Sequence, residues 1–126
     1  MTREDFSKLP HLLKRSDVQA CGYSRSTVEK YADCGILEVV QPKGSDQSRF
    51  RKLAVANLLG WEDLVDRTAW KRENALFALA AVKQWTGFDK ATVTAIASAG
   101  GLTLVKPGGL GEAKYRKEEI GRWIGL

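Results

Sequence analysis

The sequence has little cysteine, histidine and proline, and it has no long apolar run. Its two cysteines, Cys21 and Cys34, do not form a CxxC pair, and its single histidine, His11, lies at no metal-ligand spacing from them. This pattern argues against a zinc site, and the position of Cys21 at the end of a short helix predicts a reduced cysteine that serves packing. No apolar stretch approaches the roughly 18 residues that cross a bilayer. We therefore expect neither a cofactor nor a membrane partner.

Motifs for catalysis are also missing. The single histidine has no nucleophile beside it, and the carboxylates are scattered at polar positions. The glycines Gly108, Gly109 and Gly111 lack the Gly-Lys-Ser/Thr ending of a phosphate-binding loop, and they suit a hairpin tip instead. We therefore expect a protein that is not an enzyme. The polar segment 1–10 is unlike a secretory signal, which predicts a cytoplasmic location.

The charge is positive and unevenly distributed. The formal net charge is +5. Residues 11–60 contain eight Lys and Arg against five Asp and Glu, and residues 82–126 contain seven against four. Residues 61–81 contain three against four, so two basic regions flank a mildly acidic one. This distribution permits an acidic partner such as DNA without specifying it.

An internal repeat covers most of the chain. A shift of 65 positions aligns residues 22–60 with 87–125 without a gap, and 12 of the 39 pairs are identical. The matches include glycines, apolar positions and basic positions together. Upstream of the repeat, Val18 lies four residues before Gly22, whereas Val82 lies five residues before Gly87. The sequence therefore predicts a duplicated unit whose first helix differs in length by one residue.

The first copy has the pattern of two short helices, a hairpin and a closing helix. Ser16 is predicted to cap a helix that Gly22 ends, and Ser24 to cap a second helix from 25 to about 33. Gly35 is predicted to end this helix in a left-handed conformation. The rest of the copy predicts, in order, a strand over 36–40, a tip over 42–46, a return strand over 48–52 and a closing helix to residue 60.

The second copy repeats this order. It predicts a helix over 78–85, a helix over 90–99 capped by Asp89, a hairpin over 102–117 with its tip at 106–111, and a closing helix over 118–124. Residues 61–72 contain neither Gly nor Pro and predict a helical connector. The predicted organisation is mainly α with small β-hairpins: a first unit over 1–60, a helical connector over 61–77 and a second unit over 78–126.

The segment 16–60 resembles the winged helix-turn-helix DNA-binding unit of excisionases and of the MerR regulators. The resemblance rests on Gly22-Tyr23-Ser24-Arg25-Ser26-Thr27-Val28, on Gly35-Ile36-Leu37 and on Arg49-Phe50-Arg51. Residues 87–125 look like the same unit, although the outer face of their second helix has a single basic residue, Lys90. The resemblance implies two tandem winged helix-turn-helix units.

The resemblance also implies where DNA is contacted. In that superfamily the second helix enters the major groove and the hairpin, or wing, contacts the backbone or the minor groove. The implied contacts of the first copy are Ser24, Arg25, Ser26, Thr27 and Lys30 on the helix, and Lys43, Arg49, Arg51 and Lys52 on the wing. Those of the second copy are Lys90, Thr92 and Thr94 on the helix, and Lys106, Lys114, Arg116 and Lys117 on the wing.

The implied function is sequence-specific binding of double-stranded DNA, as an excisionase-like recombination directionality factor or a small transcription regulator, in a bacterial or phage-type cytoplasm and on the nucleoid. A MerR regulator continues into a long dimerisation helix, which this sequence lacks, so an effector-sensing activator is not expected. Two alternatives remain. One is an adaptor whose first unit binds DNA and whose second unit binds a recombinase, a polymerase or another copy. The other is a self-associating packaging protein that resembles a phage small terminase.

Overall fold

The structure is a computed structural model, and it describes residues 1–106, 109 and 111–126. Pro107, Gly108 and Leu110, which belong to the predicted tip of the second hairpin, lie outside the described residues. None of the helices in the described part of the chain has the length and apolar character needed to cross a membrane.

The described chain is mainly α-helical with two small antiparallel sheets, which confirms the predicted fold class at this level. The first half contains α1 (Arg3–Ser7), β1 (Leu12–Leu13), α2 (Arg15–Ala20), α3 (Arg25–Asp33), β2 (Val39–Val40), β3 (Arg49–Arg51) and α4 (Lys52–Leu59). After a 3-10 turn at Glu62–Leu64, the second half contains α5 (Arg67–Arg72), β4 (Leu76–Phe77), α6 (Leu79–Thr86), α7 (Lys90–Ser98), β5 (Leu104–Val105), β6 (Lys114–Arg116) and α8 (Lys117–Ile124). The order of elements is the same in both halves.

Each half begins with a short helix followed by a two-residue strand, β1 or β4. The sequence did not predict these two strands. The strand orders are β1-β3-β2 and β4-β6-β5, so β1 and β4 complete three-stranded sheets around the predicted hairpins. Strand β4 and the buried Trp70 of α5 fall inside the predicted connector 61–77. The connector is helical over Glu62–Leu64 and Arg67–Arg72, but it also supplies a strand and a core side chain to the second half.

Helices α3 and α7 begin at their predicted caps. The Ser24 Oγ accepts a hydrogen bond from the Thr27 backbone N–H at 3.2 Å, and the Asp89 carboxylate accepts one from the Thr92 backbone N–H at 2.8 Å. These bonds satisfy backbone donors that have no partner within the helix. Gly35 follows α3 with a φ of +83°, which confirms the predicted left-handed stop.

Two local predictions were wrong in position. Ser16 does not cap α2, because the helix begins at Arg15 and its N-cap residue is Lys14. The Lys14 backbone N–H donates to the Asp17 carboxylate at 3.0 Å. The first strand of the hairpin is also shorter than the predicted 36–40. The Leu37 backbone N–H donates to the carbonyl of Tyr31 in α3 at 3.0 Å, so this segment completes the helix end before the strand ladder begins.

The interior consists of two apolar clusters, one in each half. The first contains Phe6, Leu13, Val18, Val28, Leu37, Phe50, Val55, Ala56 and Val65. The second contains Trp70, Phe77, Val82, Trp85, Phe88, Val93, Ile96, Leu102, Tyr115, Ile120 and Ile124, and it also includes Leu12 and Val40 of the first half. Because these two residues belong to the first sheet, that sheet packs on the first core with one face and on the second half with the other.

The first outer sheet face, defined as Leu12, Val40, Arg49 and Arg51, forms the contact between the halves. The four residues are cross-strand neighbours, since Leu12 pairs with Arg51 and Val40 pairs with Arg49. Leu12 is 1% exposed and Val40 is 8% exposed. Their burial against the second half adds apolar area to the contact and stabilises the arrangement of the two halves.

The tip of the first hairpin lies against α7. A Cβ added at Gly44 would lie 2.6 Å from the Cβ of Ala99 and 2.7 Å from the carbonyl oxygen of Ala95. A Cβ added at Gly101 would overlap the carbonyl oxygen of Lys43 and lie 2.9 Å from a methyl carbon of Ile96. Glycine at these positions therefore permits a close approach between the hairpin and the second half.

Gly101→Ala tests this close approach. We expect the substitution to lower the free energy of unfolding by about 1–3 kcal/mol, because its methyl group must displace backbone of the first hairpin. Urea denaturation would measure the loss, with Ser98→Ala as a control at an exposed position of the same region. The control should stay within about 0.5 kcal/mol of the wild type. If Gly101→Ala is as stable as Ser98→Ala, the halves do not approach each other as described.

Candidate nucleic-acid interface

Helix α3 has a buried face and an uncovered one. Val28 is fully buried, and Tyr31 and Ala32 pack beside it against the first core. The opposite face, defined here as the α3 outer face, consists of Arg25, Ser26, Glu29 and Lys30, all exposed. A tight turn containing Gly22 separates this helix from α2. The local arrangement is thus helix, turn, helix, with polar and basic side chains on the solvent side of the second helix.

Ion pairs organise the charges on this face. The Glu29 carboxylate accepts hydrogen bonds from Arg25 at 3.3 Å and from Arg15 at 2.9 Å. These bonds lower the pKa of Glu29 below its ordinary value, so it stays ionised at neutral pH. Lys30 makes no ion pair within the described residues. The face and the adjoining Arg15 therefore retain a net positive charge.

Ser24 and Thr27 serve the cap of α3. The Ser24 hydroxyl donates to the Thr27 Oγ1 at 2.9 Å and lies 3.2 Å from the Ser26 Oγ. Thr27 is half-buried. Of the five predicted contacts on this helix, Arg25, Ser26 and Lys30 extend to solvent, whereas Ser24 and Thr27 mainly position the helix N-terminus.

Lys52 is a core residue, and the prediction that it contacts DNA is wrong. It is 1% exposed, and its Nζ donates to the carbonyl oxygens of Ser7 at 3.1 Å and Leu9 at 2.8 Å. The ammonium also lies 5.4 Å from the centre of the Phe6 ring. Burial lowers the pKa of Lys52 to about 8. The residue begins α4 directly after β3, which turns its side chain toward the end of α1.

The two arginines of β3 face the second half. Arg49 is 8% exposed, and its guanidinium lies 5.3 Å from the centre of the Phe88 ring. Burial lowers the pKa of Arg49 below its ordinary value. Arg51 donates to the carbonyl oxygens of Trp123 and Arg122, each at 2.9 Å, and pairs with Glu38. The prediction that Arg49 contacts DNA is therefore wrong, because this side chain is buried over Phe88 and donates to the Gln47 side chain of its own hairpin. Arg51 is partly exposed and uses its donors on the second half and on Glu38, so its DNA contact stays a prediction. Lys43 is the exposed member of the predicted set on this hairpin.

The predicted residues of the second half divide in the same way. Lys117 is half-buried, donates to the carbonyl oxygen of Glu73 at 3.2 Å and lies 5.1 Å from the Trp70 ring centre. It repeats the contacts of Lys52 in a more exposed position, and its predicted DNA contact stays a prediction. Thr92 is half-buried beside the cap of α7. The predicted residues that reach solvent are Lys90, Thr94, Lys106 and Arg116, with Lys114 half-buried.

Helices α3 and α7 occupy equivalent places but differ in surface chemistry. In the 65-residue register, Ala95 stands where α3 has Lys30, and Ala91 stands where α3 has Ser26. The first hairpin also lies against the C-terminal half of α7, near Ala99. Of the two helices, α3 therefore offers the more basic and the less obstructed surface.

Sequence reasoning missed the shared structural role of Lys52, which is buried, and Lys117, which is half-buried. The two are an identical pair in the repeat, and each is the first residue of a closing helix, which was the available signal for a structural role. The described residues contain no group of three His, Cys, Asp or Glu side chains able to hold a metal ion.

The resemblance to winged helix-turn-helix proteins rests on residues of this sequence alone. In the structure, α2 and α3 form a helix-turn-helix that is followed by the first hairpin. Comparison with protein-family models, with curated proteins and with solved structures finds no match to this chain.

Proposed function

We propose that this protein binds double-stranded DNA with the α3 outer face in the major groove. The observation that carries the proposal is the pairing of a capped nine-residue helix with an uncovered face bearing Arg25, Ser26 and Lys30. An α-helix fits the major groove, where an arginine can bind guanine through two hydrogen bonds and a lysine or serine can contact phosphate. In this proposal the two halves are tandem winged helix-turn-helix units.

The second half supplies contacts to the DNA backbone in this proposal. Lys90 begins α7 and Lys106 lies on the second hairpin, and both are exposed. Each such contact releases counterions from the DNA and adds affinity without adding sequence information. The first hairpin contributes chiefly by holding the halves together. The biological role that fits this chemistry is an excisionase-like recombination directionality factor or a small transcription regulator.

Arg25→Ala/Lys30→Ala tests the proposed major-groove contact. We expect affinity for specific DNA to fall at least 10-fold, since a lost bidentate base contact costs about 1–3 kcal/mol. The slope of log K against log salt should also become shallower by about one unit for each lost phosphate contact. Fluorescence anisotropy on random duplex and on DNA flanking the gene, at several salt concentrations, measures both quantities.

Lys8→Ala/Lys71→Ala is the matched control for charge. It removes two positive charges from exposed positions, one directly after α1 and one on α5, neither of which belongs to the α3 outer face. We expect it to weaken binding much less than Arg25→Ala/Lys30→Ala. Equal losses in the two double variants would show that only total charge matters, and absence of wild-type binding to any duplex would refute DNA binding altogether.

The adaptor function is the second candidate, and the chemistry of α7 favours it. Lys90 is the single basic residue of that helix, and the first hairpin lies against its C-terminal half. Lys90→Ala/Lys106→Ala separates the two candidates in the same assay. If both halves contact DNA, the salt slope falls by about two units. An unchanged slope assigns DNA binding to the first half and leaves the second for a protein such as a recombinase or polymerase.

A further inference from the structure

The two outer sheet faces are equivalent in sequence but differ in exposure. The second outer sheet face consists of Leu76, Val105, Lys114 and Arg116, since Leu76 pairs with Arg116 and Val105 pairs with Lys114. These residues correspond one by one to the first outer sheet face. Leu12 of the first face is 1% exposed under the second half, whereas Leu76 of the second face is 38% exposed. The same surface is thus covered in one half and open in the other.

A groove of about 640 Å³ adjoins the open face. Its walls include Trp70, Ala75, Leu76, Arg116, Gly121 and Leu126. In the first half, the residues equivalent to Ala75, Leu76 and Arg116 are His11, Leu12 and Arg51. The second half fills the space beside these residues, since the centre of the Trp85 ring lies 4.7 Å from that of the His11 ring, with the two rings tilted by 43°. The groove therefore lies where the first half receives its neighbour.

The surface that covers the first outer sheet face comes from two places in the second half. One is the turn between α6 and α7, and the other is the end of α8. We call this surface the second ridge, and its members are Trp85, Phe88, Arg122, Trp123 and Gly125. The equivalent first ridge, at the α2–α3 turn and the end of α4, consists of Cys21, Tyr23, Asn57, Leu58 and Gly60. Leu58 is 38% exposed, so this ridge carries an uncovered apolar side chain.

We propose that copies of this chain associate head to tail, with the first ridge of one copy on the second outer sheet face and groove of the next. The contact repeats between molecules the one that the two halves make within a molecule. Leu58 and Leu76 lose their exposure to water, which is the main driving force. The contact joins two different surfaces, so it propagates into a chain or closes into a ring instead of ending at a dimer.

The polar groups fit the same arrangement. Arg116 takes the place of Arg51 and donates to the carbonyl oxygens at the end of α4, where the helix dipole also favours a cation. Lys114 takes the place of Arg49 and lies over the Tyr23 ring, as Arg49 lies over Phe88. Each cation of the open face thus has a partner of the matching kind on the first ridge.

The contact between copies is weaker than the contact within the chain. Leu58 replaces Trp123 and Cys21 replaces Trp85, so the first ridge buries less apolar area. Lys30 replaces Ala95, so the packing of a hairpin tip on the helix is not repeated. The intramolecular contact also benefits from covalent linkage, which supplies an effective concentration of about millimolar order. We therefore expect association in the micromolar to millimolar range.

Leu76→Glu and Leu58→Glu test the proposal when they are measured alone and together. Sedimentation velocity without DNA, up to about 1 mM chain, should show a wild-type mass that rises past that of a dimer with concentration. Each variant alone should stay monomeric. In Leu58→Glu every copy has a disrupted first ridge, and in Leu76→Glu every copy has a disrupted second outer sheet face, so no two copies of one variant can form the contact. An equimolar mixture should form a dimer and no larger species, because only one intact pair of surfaces remains.

Leu104→Glu is the matched control, since this leucine is 48% exposed and lies on neither surface. It should associate as the wild type does, and circular dichroism should show that all three variants are folded. A wild type that remains monomeric throughout overturns the proposal. So does self-association of Leu58→Glu alone, which would indicate a symmetric contact, and so does a mixture of the two variants that stays monomeric. These outcomes do not depend on whether the protein binds DNA.

Discussion

Lys52→Ala is expected to lower the free energy of unfolding by about 2–4 kcal/mol. The substitution removes a buried side chain, and it leaves the carbonyl oxygens of Ser7 and Leu9 without the donor that they now share. Loss of the side chain beyond Cβ also leaves a cavity beside Phe6. These losses exceed the gain from no longer burying an ammonium group, because the group is already satisfied by two hydrogen bonds.

Two further lysine variants make this experiment specific. Lys117→Ala should cost less, since the equivalent lysine is half-buried and donates one hydrogen bond, to the carbonyl oxygen of Glu73. Lys8→Ala, at an exposed position, should stay within about 0.5 kcal/mol of the wild type. Urea denaturation measures all three. A Lys52→Ala protein as stable as Lys8→Ala would mean that Lys52 is not buried against α1.

Lys52→Ala also separates stability from DNA binding. The side chain reaches no surface from which it could contact a phosphate. Below the unfolding transition, we therefore expect its salt slope of DNA binding to equal that of the wild type. A shallower slope would restore Lys52 to the DNA-contacting set, which the structure excludes.

The second large effect is a loss of stability in mild acid. Burial and the nearby charge of Lys52 lower the pKa of His11 from 6.5 to about 4, although Asp66 acts in the opposite direction. The His11 Nε2 is buried and has no hydrogen-bond partner in the part of the chain that the structure describes. The unfolded chain therefore binds a proton more readily than the folded chain between these two pKa values. Stability is fully present above about pH 6.5 and declines as the pH falls toward 4.

The decline should total roughly 3 kcal/mol, because each pKa unit of difference corresponds to about 1.4 kcal/mol. Urea denaturation at several pH values between 7.5 and 4.5 measures it. His11→Phe retains a ring against Trp85 but cannot be protonated, so its stability should vary much less across the same range. A parallel decline in the two proteins would assign the acid sensitivity to other groups. The carboxylates of Glu29 and Asp89, whose pKa values are lowered, lose their contribution only near pH 4 and below.

Acid is also expected to act on the contact between the halves. The His11 backbone N–H donates to the carbonyl oxygen of Trp85 at 3.0 Å, and the two rings are in contact. A charged imidazolium at this position would find no acceptor for its Nε2–H among the described residues. Protonation of His11 therefore weakens the contact between the first outer sheet face and the second half.

Several features of the fold follow from local sequence patterns. The nine-residue helices α3 and α7 have serine and aspartate caps, a periodic apolar face and a glycine after the last turn, and their predicted bounds agree with the structure to within a residue. The duplication itself is visible in the 65-residue register and in the single-residue difference before it. These features depend on residues close in sequence, so the sequence suffices to predict them.

The third strand of each sheet could not be predicted in this way. Strands β1 and β4 contain two residues each, which is too short for an alternating pattern. Each is a strand only because β3 or β6 lies beside it and supplies hydrogen-bonding partners. The assignment of segment 61–77 to a simple connector has the same cause, since its pairing partner lies almost 40 residues further along the chain.

The sequence by itself determined the duplication, the main helices and the basic character of the two hairpins. Tertiary structure decided which basic side chains are free to bind a partner. Arg49, Arg51, Lys52 and Lys117 are arginines and lysines like Arg25 and Lys30, yet they contact the other half or the core. A residue's charge is a property of its own chemistry, but its exposure depends on segments distant in sequence that pack against it. For this protein, that packing turns the first hairpin inward and leaves α3 and the second outer sheet face open.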